Sequence, residues 1–159
     1  MNAPSSTDRD YELWVLLQQT SDAVLRARDK ELSKHGISSI EAAVLFIVQS
    51  IGERAIPAEI SRWLFREQHT VSALLSRMEK KGLITKTKDL DKKNLVRVRL
   101  TEKGKQAYNN SLSRDSIYRA MSALSEEERH KLSSYLWTLR DRTLEELRME
   151  HKPPYPPEA

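Results

Sequence analysis

The 159-residue sequence has no cysteine, four glycines and an aromatic fraction of only 6%. The first absence excludes disulfides, thiolate catalysis, cysteine metal sites and thiol redox sensing. The other two argue against a β-sandwich or barrel, which needs a turn roughly every 8–12 residues. Long hydrophobic runs are missing too. The longest, Ala42 to Val48, has seven residues, far short of the roughly 20 that a membrane-spanning helix requires. Apolar residues make up 38% of the chain and charged ones 31%, a balance that points to surface-rich helices or to a core completed by a partner. The N-terminal Met-Asn-Ala-Pro-Ser-Ser-Thr-Asp has neither a basic start nor an apolar stretch, so it does not read as a signal peptide. Together these features predict a soluble, mostly helical, cytoplasmic protein of one domain's length, without a membrane segment.

The charge is unevenly placed. Arg62 to Lys105 contains 13 Lys/Arg against five acids, a net of +8, while the whole chain carries only +4. The remainder is therefore acidic, at −4. A charge run is often just a solvated face, but an asymmetry of this size within one domain is also the footprint of a phosphate-binding surface.

Along the chain, Leu13, Leu16, Leu17, Val24, Leu25 and Leu32 recur at helical spacing from about Asp8 to a stop at His35-Gly36. Ser38 and Glu41 stand at capping-box spacing before a helix over Ser39–Ile51 that is apolar nearly all round, as a buried central helix would be. Pro57 suits the first turn of a short helix ending at Leu64. A brief turn at 65–68 leads to a second helix, which Gly82 stops. Two short helices joined by a tight turn form a helix-turn-helix pattern. In the second helix Val71, Leu74, Leu75 and Met78 form an inward stripe, and His69, Ser72, Ala73, Ser76, Arg77 and Lys80 lie away from it. Leu83–Lys88 and Leu95–Leu100 then read as strands, joined by Asp89-Leu90-Asp91-Lys92-Lys93-Asn94, a turn with a basic tip. Thr101 caps a helix expected to run from Glu102 to about Ala123, and Ser125 to Glu128 open a last one reaching about Glu150. The Pro-rich end, 151–159, and residues 1–7 are expected to be flexible tails.

A helix-turn-helix followed directly by a hairpin is a winged helix, and it coincides with the basic segment. An α-helix fits the major groove of duplex DNA. Small side chains at Ser72, Ala73 and Ser76 let its axis approach the bases, while Arg77 and Lys80 reach phosphates or guanine edges. Gln68, His69 and Thr70 occupy the N-terminal end, where base contacts concentrate in such motifs. Lys92, Lys93, Asn94 and Arg97 place the wing tip against phosphates or a narrow minor groove. Because hairpin lysines can also serve solubility alone, an architectural or protein-binding winged helix without operator specificity is the alternative. No nucleophile–base pair, catalytic carboxylate pair or phosphate loop is visible, so no enzyme is expected. His35, His69, His130 and His151 are scattered without ligand spacing, and neither a metal nor a cofactor is expected.

The run Thr70 to Ile84 (TVSALLSRMEKKGLI), Asp91-Lys92-Lys93-Asn94 in the wing, and Arg99-Leu100-Thr101-Glu102-Lys103-Gly104 after it resemble the MarR (multiple antibiotic resistance regulator) family of winged-helix transcription factors. The order of helices resembles the family's over nearly the whole chain. The resemblance implies a sequence-specific regulator, a homodimeric repressor of nearby genes whose recognition helix reads a palindromic operator in double-stranded DNA. It further implies that 8–36 and 102–150 form a dimerisation region around a DNA-binding region at 38–101. Tyr11, Trp14, Ile117, Tyr118, Met121, Leu132, Leu136 and Leu139 are the interface candidates, though each would equally serve an intramolecular core. Family members commonly release DNA when a small aromatic or anionic ligand enters a cleft between the dimer helices and the winged helix. Trp14, Phe46, Trp63 and Arg66 could line such a cleft here, or belong to the core. Where the family's wing often carries arginine, this chain has Lys93, a point charge rather than a bidentate fork.

Overall fold

The computed structural model describes residues 6–89, 91, 92 and 94–157. Its elements, in chain order, are α1 (Ser6–Ser33), α2 (Ser39–Ile51), α3 (Pro57–Leu64), α4 (Gln68–Lys80), β1 (Ile84–Lys88), β2 (Val96–Leu100), α5 (Glu102–Ser111), α6 (Asp115–Met121) and α7 (Glu126–Glu146). The fold is mainly α with a small hairpin wing, as expected. α2 sits at its centre. Both bonds of the capping box form, Glu41 N to Ser38 Oγ and Ser38 N to Glu41 Oε2, so the helix starts where the sequence places it. The same Glu41 is buried and accepts Lys81 Nζ at 2.7 Å, fastening the start of α2 to the residue that follows α4.

The core lies between Leu32 and Ala107. Leu45, Ile60, Leu75, Met78, Ile84 and Val98 are almost completely enclosed there, and each such side chain contributes roughly 1.5–3 kcal/mol by leaving water. β1 and β2 pair antiparallel, with Ile84 opposite Leu100 and Lys88 opposite Val96. Val98 N also donates to Ala55 O at 2.8 Å, which anchors the wing to the segment between α2 and α3. At the far end Asp89 Oδ1 accepts the amides of Asp91 and Lys92, closing an Asx turn.

The wing returns to the body through a tight corner. Thr101 Oγ1 accepts Gly104 N at 3.0 Å and donates to Gly82 O. A Cβ added at Gly104 would lie 1.9 Å from Leu83 O, so the backbones of α5 and of the turn after α4 meet here only because this residue has no side chain. The run Arg99 to Gly104 is thus a closure between wing and helix.

One expected helix is two. The sequence predicts continuity from Glu102 to about Ala123, whereas the chain breaks between Ser111 and Asp115. Two residues of α1 supply the missing bonds. Arg28 donates to the carbonyls of Ser111 and Ser113, capping the end of α5, and Glu31 accepts the amides of Asp115 and Ser116 at the start of α6. The Ser116 hydroxyl also donates to Glu31, and Arg28 pairs with it at 2.8 Å. Burial pushes the Glu31 carboxyl up, but the bonds from Ser116 and Arg28 and the two backbone amides outweigh it and hold it down at about 2.

α7 begins at the expected Ser125–Glu128 capping box but ends at Glu146, four residues short of the expected Glu150. Met149 N donates to Leu144 O and Arg148 N to Glu145 O, a Schellman reversal with Arg148 in the left-handed region at φ 51°. Residues 151–157, expected to be a flexible tail, are therefore placed back along α7 and against α2 and α3.

Candidate nucleic-acid interface

α4 follows α3 through a turn closed by Arg66 N donating to Ser61 O and by the Ser61 hydroxyl donating back to Arg66 O. Phe65 turns the chain there with φ 52°. On α4 the inward stripe is as expected, with Val71, Leu74, Leu75 and Met78 buried. At 3.6 residues per turn, the direction opposite that stripe is carried by His69, Ala73, Ser76 and Lys80. Gln68, His69, Thr70, Ser72, Ala73, Arg77 and Lys80 are exposed and Ser76 is half-buried. Nothing acidic stands on the outermost line. Glu79 lies on its wing-side flank and is neutralised by Lys86 of β1 at 3.2 Å. Lys86 also donates to Ser76, so the wing and the recognition helix are tied edge to edge.

The wing residues divide. Lys92 and Asn94 are exposed at the tip, and Lys93 lies outside the described residues. Arg97 is already engaged, since its guanidinium pairs with Asp89 at 2.8 Å and donates to Glu53 O. Asp89 is held below the usual carboxylate range by the Asp91 amide, Arg97 and the Lys92 amide, in that order. Arg97 thus buttresses the wing rather than projecting from its tip. Arg99 pairs likewise with Glu53. Lys88, which the sequence reading passed over, is exposed, and among the described residues it carries no ion pair. Strand alternation puts it on the same side as Lys86, which faces α4. The signal was present in Thr85-Lys86-Thr87-Lys88, an alternation as regular as that of the second strand.

The four expected pocket residues do not converge. Arg66 lines a cleft of about 390 Å³ with Leu25, Ile40, Ala43, Thr70 and Arg77. Phe46 and Trp63 meet each other's neighbourhood through a third ring, Tyr155, at centroid distances of 5.2 and 6.0 Å. Trp14 stacks on Tyr11 along α1, well away from both groups, and is 54% exposed. The interface candidates share exposure. Tyr11 and Trp14 on α1, Ile117, Tyr118 and Met121 on α6, and Leu132, Leu136 and Leu139 on α7 are all exposed apolar side chains. Met121, Leu132 and Leu136 border an open groove of about 370 Å³.

Comparison with known proteins bears directly on this arrangement. Residues 37–104 match the winged helix DNA-binding domain model. A solved structure of the organohalide-sensing transcriptional regulator RdhR, bound to 2,4-dichlorophenol, is 34% identical, with 96% of this chain and 93% of that chain covered and a TM-score of 0.84. Its ligand-free form is 33% identical over 100% of this chain and 97% of that chain, with a TM-score of 0.86. The chain belongs to the MarR family. A MarR variant from E. coli complexed with operator DNA shares the fold at 19% identity and a TM-score of 0.77, with 86% of this chain and 99% of that chain covered. So does the S. aureus MepR–DNA complex, at 23% identity, a TM-score of 0.73 and coverage of 79% and 93%. No curated protein sequence matches the chain. As a MarR-family protein it is a DNA-binding transcriptional regulator, in a family of regulators rather than enzymes. No helix among the described residues is long and apolar enough to cross a membrane.

Proposed function

We propose that this MarR-family regulator is a cytoplasmic homodimeric repressor, which reads a palindromic operator near its target genes and leaves it when a small aromatic or anionic ligand binds. The observation that carries the DNA reading is the acid-free outer line of α4, together with Arg77, Lys80, Lys88 and Lys92, which form no ion pair among the described residues. His69, Ala73 and Ser76 would face base edges, with Gln68, Thr70 and Ser72 beside them, and the wing cations would hold phosphates. Asn94 completes the tip, and the same role is assigned to Lys93, which lies outside the described residues. In this reading 38–101 binds DNA, and 8–36 with 102–150 dimerises through the exposed apolar side chains of α1, α6 and α7.

The effector would enter the cleft lined by Arg66 and Arg77. Apolar walls from Leu25, Ile40 and Ala43 suit a ring, and two guanidinium groups beside it suit an acidic hydroxyl or a carboxylate. A regulator 34% identical was solved with 2,4-dichlorophenol, a ligand of that kind. A ligand held between α1 and α4 favours one placement of the recognition helix over another, which differential binding requires.

The test is operator binding as a function of salt. Each phosphate contact removed should flatten the slope of log K against log [salt] by about 0.9, and a symmetric dimer loses contacts in pairs. Lys80→Ala with Lys92→Ala should therefore flatten it markedly while leaving the melting temperature unchanged. An unchanged slope overturns the assignment.

A further inference from the structure

The reversal at Arg148 sends the chain back toward the winged helix. Lys152 Nζ pairs with Asp141 Oδ2 at 2.9 Å on the way. Tyr155 then lies parallel to the Trp63 ring, 6.0 Å between centroids and 7° between planes, and tilted by 60° against Phe46 at 5.2 Å. Parallel-offset and tilted arrangements are the two that aromatic pairs favour. The platform is part of the packed fold, and the occupant comes from an irregular segment. Phe46 and Trp63 pack against the core from α2 and α3, and Trp63 Nε1 is fixed by Glu59 Oε1 at 3.2 Å. Tyr155, in contrast, belongs to a segment without helix or strand, keeps 47% of its surface exposed, and its hydroxyl has no hydrogen bond among the described residues.

We propose that Phe46 and Trp63 form a binding site for a planar aromatic ring, and that Tyr155 is its tethered occupant, which a free aromatic ligand must displace. The slot recognises the ring alone, because the phenolic oxygen takes no part in holding it. The site is separate from the cleft of Arg66 and Arg77, which neither Phe46 nor Trp63 lines. Its occupancy also matters for shape. Among the described residues no hydrogen bond or ion pair joins α7 to the winged helix, whereas the tail reaches both: Tyr155 touches α2 and α3, and Pro156 borders the apolar groove of α7 beside Leu136 and Trp137. A ring that takes the place of Tyr155 therefore unfastens the end of the chain from the DNA-binding unit.

The experiment uses the full chain labelled with 5-fluorotryptophan, whose three tryptophans give three fluorine signals, with Trp63→Phe identifying one. The probe is p-cresol, the tyrosine side chain without its backbone. Tyr155→Ala should move the Trp63 signal, and p-cresol should bring it back toward the wild-type position. The wild type should need about tenfold more p-cresol, because a site open for about a tenth of the time loses apparent affinity in that proportion. Tyr155→Phe should behave as wild type. A second variant ending at residue 150 guards against a local effect of alanine and should match Tyr155→Ala. A Trp63 signal unmoved by loss of Tyr155, or equal p-cresol titrations in wild type and variant, overturns the proposal. Binding of p-cresol in the Arg66 cleft would instead change operator affinity and leave the Trp63 signal in place, so the two sites fail independently.

Discussion

Among the described residues from Leu32 to Ala107 the large apolar side chains are enclosed or half-buried, Phe65 excepted, whereas on α1, α6 and α7 Tyr11, Trp14, Tyr118, Tyr135 and Leu139 are each more than half exposed. The two regions also differ in sign, the segment from Arg62 to Lys105 carrying +8 and the remainder −4. A winged helix that closes its own core can present a rigid basic face to a polyanion. Helices that leave their apolar faces open need a second surface, and an isologous partner supplies one at the cost of no new sequence. Low apolar content is thus a local property of the flanking helices, and the central unit is packed as a small domain should be.

The contrast can be broken most severely at the corner of the wing. Gly104→Ala forces a methyl group onto Leu83 O, and overpacking of this kind costs about 3 kcal/mol. Thermal unfolding of the variant should begin many degrees lower, at any protein concentration. A melting temperature within a degree or two of wild type would mean that the corner opens to admit the methyl group.

The next effect should depend on concentration instead. Leu136→Ser with Leu139→Ser removes two exposed leucines, each worth roughly 1.5–3 kcal/mol if a partner buries it. Sedimentation equilibrium should show a dimer dissociation constant raised by at least about tenfold, with the winged helix still folded. Equal dissociation in wild type and variant would place the interface elsewhere.

Acid probes the joint that ties α1 to the break between α5 and α6. The Glu31 carboxyl is lowered from 4.5 to about 2 in the folded chain, so its contribution is complete above pH 4.5 and fades as pH falls toward 2, where the unfolded state takes up the proton first. Glu31→Gln should flatten the urea-midpoint profile in that window and lower the plateau above it. Parallel profiles would show that the α1–α6 joint does not limit stability.

The smallest change is expected at Phe65. Its exposed ring has little to lose, and a left-handed non-glycine residue costs roughly 1 kcal/mol, so Phe65→Gly should leave the melting temperature the same or slightly higher, without loss of operator binding. A clear destabilisation would show that the ring has a partner.

What could be read in the sequence was local. Ser38 with Glu41, Ser125 with Glu128, the stripe from Val71 to Met78 and the glycine stop at Gly82 all act within a turn or two of chain, and the structure has them where the spacing places them. The outward-facing set on α4 was legible for the same reason, because the buried stripe fixes the opposite face. The break after α5 was not, since its caps come from Arg28 and Glu31, more than 80 residues away. Arg97 looked like a wing-tip cation because its partners, Asp89 and Glu53, are brought to it by the hairpin and by the edge at Ala55. Tyr155 reads as part of a flexible tail, because nothing near it in sequence announces Phe46 or Trp63.

The joint built by Arg28 and Glu31 also sets an order of events during synthesis. Both residues leave the ribosome early, yet the helix ends they cap are made only after Ser116 has emerged. Until then α1 carries a buried-type arginine and glutamate with only each other to bind, and the winged helix can complete its core without them. The three flanking helices α1, α5 and α6 can therefore be joined to one another only after about three-quarters of the chain has been made, however early α1 itself is complete.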